Sequence, residues 1–199
     1  PLERTPWSDA ARYIYVARNP FDCAVSFFHH TRGFVKHYDF ADGTWDAFFE
    51  CFLLGEVDFG DYFDNLLSWW PKRAAGNVLW LPYEDMLAEP ATAARTIGRF
   101  LGGTAAIAAS DAATLDRVLA HSSFASMSRD QTRWASARPA DMPGFVRKGV
   151  VGDWRNHFSR QQAHRLAAKL RRRTEGTGAD AQWPGLLATV DAWVNEEEA

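Results

Sequence analysis

The sequence predicts an α/β domain, a parallel sheet flanked by helices, on three observations. Two short runs, "YIYVA" (Tyr13–Ala17) and "NVLWLPY" (residues 77–83), are apolar nearly throughout and rich in β-branched and aromatic residues, the pattern of strands covered on both faces. The stretches between and after them place apolar residues at helical spacing. The first run also stops at Arg18, Asn19 and Pro20, where the pattern turns from strand to helix; open α/β sheets bind their ligands at such junctions.

Each element has a local reason. Asn19 can cap the first helix, Pro20 suits its first position and Asp22 favours its first turn. In "GDYFDNLLSWWPKR", Phe63, Leu66, Leu67 and Trp70 make one apolar face. In "EPATAARTIGRFLGG", Ala94, Ile97 and Leu101 are expected inward, with Gly102 and Gly103 as the stop. "SDAATLDRVLAHSSF" is a further helix, capped by Ser110 or Asp111, with Leu115, Val118 and Leu119 inward. A turn-rich stretch over 128–152 holds Pro139, Pro143, Gly144, Gly149 and Gly152, and is long for a passive connection. A basic helix over 159–173 follows, its "KLRRR" end complementing the helix dipole. Two strands are few for a sheet covered on both faces: either others go unrecognised, or the rest belongs to sequence outside this chain.

Composition bounds the function. A chain of 199 residues, 47% apolar and 14% aromatic, is expected to form a single domain over 1–199 with a sizeable core. Its net charge of −3 argues against a general polyanion binder and so against nucleic acid as a partner. Any anion it binds should be small and held by a local cluster. Cys23 and Cys51 stand far apart with no metal-ligand spacing, which fits a reducing cytoplasm and no metal site. No apolar run is long enough to span a bilayer, and "PLERTPWSDAARY" does not read as a signal peptide.

Two clusters carry chemistry. Arg18, Asp22 and Ser26 fall at i, i+4 and i+8, so a guanidinium fork and a hydroxyl on one side make a phosphate-sized site beside the free N–H groups of a helix start. The alternative is that Arg18 pairs with Asp22 and Ser26 bonds a local carbonyl. In "FVRKGVVGDW" (residues 145–154), Arg147 and Lys148 bring adjacent positive charges and Gly149 lets backbone approach a ligand closely; alone, such a motif reads equally as a solvated turn.

Taken together and in order, "YIYVARNPFDCAVSFFHH", "FGDYFDNLLSWW", "NVLWLPYEDM", "HSSFASM" and "RKGVVGDWRNHFS" resemble the cytosolic sulfotransferase family. That family moves sulfuryl groups from 3′-phosphoadenosine 5′-phosphosulfate (PAPS), leaving 3′-phosphoadenosine 5′-phosphate (PAP). The resemblance implies a P-loop nucleotide-kinase-like sulfotransferase fold, incomplete in this chain, and an enzyme that uses PAPS as co-substrate without a metal. It assigns Arg18, Ser26, Arg147, Lys148 and Gly149 to the donor's 3′-phosphate. Tyr83, Ser122 and Phe124 would border the adenine, and Phe145 the ribose end. His30, Phe34 and His37, at i, i+4 and i+7, would face a small hydroxyl or amine acceptor.

The chain also departs from the family. Nothing in it resembles the loop that cradles the phosphosulfate, and the family's general base, a histidine before a "PL" dipeptide, would precede Pro1 and Leu2. The sequence thus reads as the C-terminal part of a sulfotransferase, with no catalytic residue of its own. The alternatives are a non-catalytic module binding the 3′-phosphoadenosine nucleotide and, further off, a nucleotide kinase-like phosphotransferase, which lacks its GxxxxGK[ST] loop here. Where many relatives carry a dimer segment, "RNHFSRQQAH" has Arg160 and His164 at altered positions, which puts the family's dimer contact in doubt.

Overall fold

A computed structural model describes residues 1–133, 142 and 144–196; Pro139 and Pro143 of the turn-rich stretch lie outside the described residues. Strand β1 (Tyr13–Ala17) pairs in parallel with β2 (Val78–Pro82), Tyr13 opposite Val78 and Ala17 opposite Pro82. A parallel pair needs a long crossover, and three helices supply it. These are α1 (Pro20–Gly33), α2 (Trp45–Leu54) and α3 (Tyr62–Trp69). Their starts follow the expected chemistry: the side chains of Asn19, Thr44 and Asp61 each accept a first-turn backbone N–H.

After β2 come α4 (Tyr83–Ala88), α5 (Pro90–Leu101), α6 (Gly103–Ser110), α7 (Ala112–Ser122) and α8 (Phe124–Arg129). The chain closes with α9 (Arg160–Thr174) and α10 (Leu186–Asn195). Ser159 and Gln162 form a capping box at the start of α9, and Asp111 caps α7.

The main core lies between α1, α2, α3, α9 and α10, where Phe21, Phe49, Phe63, Leu166 and Leu170 are sealed from solvent together with Trp154. A second cluster under the sheet joins Ala17, Leu66 and Trp70 to Ala179 and Trp183. One buried ion pair ties the layers: Lys169 of α9 donates to Asp61, the cap of α3, and to the Leu53 carbonyl at 2.6 Å. No helix among the described residues is long and apolar enough to cross a membrane.

Three expectations need correction. The strands are not covered on both faces: Ile14 and Val16 of β1 are 40% and 47% exposed. Val16 pairs with Leu81, which is buried, and Ile14 with Leu79, which is half-buried, so the shared face is better covered on the β2 side than on the β1 side. Leu101 and Val118 are also exposed. The helices α5, α6 and α7 bury small residues instead, Gly98 and Ala109 with Leu115, which leaves larger side chains at the rim. A Cβ on Gly98 would stand 2.3 Å from the Ala109 Cβ, so glycine sets that close approach. Finally, α1 ends at Gly33, with Phe34 at φ −100° and ψ 59°. His37 therefore lies in a turn past the helix, exposed, and does not share a helical face with His30 and Phe34.

Candidate functional site

The site grows from the two strand ends. Ala17 is the last residue of β1, so Arg18 leaves the sheet beside the start of α1. Its carbonyl accepts the Tyr62 hydroxyl at 2.6 Å, and its guanidinium lies 4.5 Å from the centroid of the Tyr83 ring, at the end of β2. One Nη donates to the Val150 carbonyl at 3.4 Å. The buried Nε has no hydrogen-bond partner, and a buried donor left unmet is costly unless a ligand answers it.

Behind Arg18 runs a buried polar chain that joins both strand ends to the C-terminal loop. Glu84 accepts from Asn19 N at 2.9 Å, from Asn19 Nδ2 at 2.7 Å and from Trp183 Nε1 at 2.8 Å. Asn19 Nδ2 also donates to Asp22 at 2.9 Å. Asp22 does not pair with Arg18. Its two oxygens accept the backbone N–H groups of Gly152 at 2.7 Å and Trp154 at 3.0 Å. Between those two anchored amides sits Asp153, whose carboxylate takes Arg147 Nη2 and Lys148 Nζ, each at 2.6 Å, and Asn156 Nδ2 at 2.8 Å.

These elements wall a cavity of about 640 Å³, within the range of small-molecule sites. Arg18, Ser26, Arg147, Lys148 and Gly149 line it, as do Tyr83, Ser122 and Phe124. Phe145 and His30 complete one wall. Phe34 stands behind, stacked on His30 at 4.3 Å and 5.9 Å from the Phe145 ring. His37 is not at the cavity. Gly149 has φ +62°, and a Cβ there would stand 2.6 Å from Phe124 Cδ2; only glycine lets that loop lie against the ring. The Ser122 hydroxyl donates to the Val118 carbonyl of its own helix at 2.8 Å.

Electrostatics follow from burial and these bonds. Burial pushes the Cys23 thiol, in the cavity wall, up to about 11, so it stays protonated. Burial, with Arg147, His157 and Arg32 nearby, lowers His29 to about 4. Burial likewise lowers His157, although Asp153 opposes it. Burial would raise Asp153, but the bonds from Lys148, Asn156 and Arg147 outweigh it and hold the carboxyl well below the usual range. No group of three or more His, Cys, Asp or Glu side chains poised to hold a metal occurs among the described residues.

Sequence reasoning did not single out Glu84 or Asp153, and read Asp22 as a first-turn acid on one side with Arg18 and Ser26, with pairing to Arg18 as the alternative. Both Glu84 and Asp153 stand inside quoted motifs, "LPYEDM" and "VVGDW". The available signal was an acid beside a strand end or between glycine and tryptophan; its partner was not visible.

Known proteins share this arrangement of chain and fold. The family model for the Sulfotransferase domain matches residues 1–178. Human Sulfotransferase 1C2 is 35% identical over 176 residues, covering 86% of this chain and 57% of that protein. Mouse Sulfotransferase 1B1 is 34% identical over 181 residues, covering 88% of this chain and 58% of that protein. This chain therefore spans little more than half the length of the relatives it matches. Among solved structures, mouse sulfotransferase SULT7A1 complexed with PAP superposes with a TM-score of 0.69 at 28% identity, over 92% of this chain and 62% of that one. Retinol dehydratase in complex with androsterone and inactive cofactor PAP gives 0.76 at 26% identity, over 89% and 51%. A match running from the first residue through both basic motifs, on a parallel sheet flanked by helices, places this chain in the sulfotransferase domain family.

Proposed function

We propose that this chain is the donor-recognising part of a PAPS-dependent sulfotransferase that transfers a sulfuryl group to a hydroxyl or amine of a small acceptor. One observation carries the reading. Arg18 and Ser26, from the β1–α1 junction, meet Arg147, Lys148 and Gly149, from the far end of the chain, at one cavity that also holds Tyr83, Ser122 and Phe124. Three cationic side chains and a hydroxyl suit a phosphate dianion, and an aromatic ring beside them suits a purine. The buried Arg18 Nε supplies a donor that such an anion would satisfy.

Transfer would run in line. The acceptor oxygen or nitrogen forms a bond to sulfur as the bond from sulfur to the bridging phosphate oxygen breaks, and PAP leaves. The acceptor's proton goes to a base. The resemblance gives no residue of this chain that role, nor that of the lysine on the phosphosulfate, so these residues bind and orient the nucleotide. His30 and Phe34, stacked on each other and edged by the ring of Phe145 that would border the ribose, would contribute an aromatic surface for a flat apolar acceptor; exposed His37 would not. We treat residues 1–199 as part of one domain. Where many relatives carry a dimer segment, Ser159 caps α9 and Arg160 donates to the Trp193 and Val194 carbonyls of α10. The family match leaves the kinase-like alternative without support.

Calorimetric titration with PAP, against adenosine 5′-phosphate as control, tests the reading. PAP should bind more tightly, and Arg18→Ala or Arg147→Ala should each weaken PAP by roughly 1.5–3 kcal/mol, the scale of charged hydrogen bonds. Wild-type PAP affinity in both variants would refute the site. Binding without turnover in the presence of acceptors is what the reading expects of these residues alone, since neither the base nor the phosphosulfate lysine is assigned to them.

A further inference from the structure

The two cations that the proposed function assigns to the 3′-phosphate share one internal carboxylate. Arg147 Nη2 bonds one oxygen of Asp153 and Lys148 Nζ the other, both at 2.6 Å. The Asp153 side chain is 3% exposed while Lys148 remains 46% exposed, so the acid is sunk in the protein and the ammonium stands at the cavity. Asp153 cannot swing freely: the amides on either side of it, Gly152 and Trp154, are fixed by Asp22, and Asn156 holds the oxygen that Lys148 uses. Asp22 belongs to the same helix as Ser26, one turn earlier.

We propose, resting on the donor-binding reading above, that Asp153 is the positioning residue of the 3′-phosphate clasp, holding Arg147 and Lys148 against the cavity, in fixed relation to Ser26, before the nucleotide arrives. The physical case is preorganisation. Two adjacent cations repel each other, and each long side chain must give up rotamer freedom to meet a phosphate. A buried carboxylate between them removes the repulsion and fixes both stems, and each cation keeps further N–H donors, since guanidinium has five and ammonium three. The negative charge of Asp153 is offset by two positive ones, so the cluster still presents net positive charge to an anion. The inference divides labour among the acids: Asp22 fixes the loop to α1, and Asp153 aims the cations.

Asp153→Asn keeps the shape but removes the charge. In the full chain it is expected to weaken PAP by about tenfold or more while adenosine 5′-phosphate, lacking the 3′-phosphate, changes by less than about twofold. Lys148→Met should weaken PAP in the wild type and cost much less in the Asp153→Asn background, because the lysine is no longer held; a purely structural acid would leave the two effects additive. A folded Asp153→Asn protein with an unchanged ratio of PAP to adenosine 5′-phosphate affinity overturns the proposal. So does an equal loss for both ligands, which would mark Asp153 as a residue of the fold alone. Should Asp153→Asn not fold, the wild type decides: acylation of Lys148 in the ligand-free protein should be several-fold slower than that of the exposed Lys36, and equal rates overturn the proposal. If the wild type shows no preference for PAP, the donor-binding reading falls and this inference falls with it, whereas a preference that survives Asp153→Asn removes this inference alone.

Discussion

At the scale of single residues, the site is built from groups whose ordinary freedom has been removed. Gly149 is the sharpest case, because both its φ of +62° and the Phe124 ring 2.6 Å from a would-be Cβ oppose any side chain. Gly149→Ala should push the loop off that ring and weaken PAP by roughly 1–2 kcal/mol, read by calorimetry; unchanged affinity would show that the loop's approach to Phe124 does not matter to the ligand. His29 makes a second case. Its ordinary value of 6.5 falls to about 4 in the fold, so below pH 6.5 the unfolded chain takes up a proton that the folded one refuses. Stability should therefore drop as pH falls from about 6.5 towards about 4, by roughly 1 kcal/mol for this group once its partial exposure is allowed for. Thermal melts at neutral and mildly acid pH would show a smaller drop in His29→Gln than in the wild type. An equal drop would move the effect elsewhere, to His157 first, which is shifted the same way.

At the scale of elements, the first turn of α1 is the joint of the molecule. Asn19 caps it, Glu84 at the end of β2 receives both Asn19 N–H groups, and Asp22 reaches the loop before α9. Removing one acceptor here strands several donors at once. Asp22→Ala should cost roughly 3 kcal/mol or more in chemical denaturation, since it leaves the Gly152 and Trp154 amides and Asn19 Nδ2 without their partner. A loss near that of a surface substitution would mean the loop is held by Trp154 packing alone. Much of this was legible: the cap at Asn19, the strand ends at Arg18 and Tyr83, and the glycine after Arg147 and Lys148 each have a local cause. What those residues touch was not. Asp22 lies a helical turn from Arg18 and is closest to it in sequence, yet it bonds amides more than a hundred residues on. The spacing of His30, Phe34 and His37 looked helical, but α1 ends at Gly33.

At the scale of the whole molecule, the described residues form a two-stranded parallel sheet at the margin of a core made mainly by α1, α2, α3, α9 and α10. Ile14 and Val16 stand open to solvent on the outer half of that sheet. Because they are already exposed in the folded chain, Ile14→Thr with Val16→Thr should alter the stability of these 199 residues by no more than about 1 kcal/mol in thermal melts. A large loss would show that this face is covered in solution. The opposite holds for Ala17, whose neighbours Leu66 and Trp183 seal the inner face.

The sequence by itself determined most of the elements and several of their starts: strand runs at both junctions, a cap at Asn19 and one at Ser110 or Asp111, and a basic motif inside a long turn-rich stretch. These depend on φ/ψ preference, side-chain period and hydrogen bonds within one turn, all of which a local stretch of chain sets for itself. The tertiary structure alone decided that Tyr83 lies against the Arg18 guanidinium, that Asp22 holds the loop instead of Arg18, that Asp153 gathers Arg147 and Lys148, and that Ile14 and Val16 remain uncovered. A buried carboxylate takes whichever donors packing leaves unmet beside it, and an apolar side chain is buried only where another element arrives to cover it. Both conditions depend on the path of the chain across more than a hundred residues, which no local pattern contains.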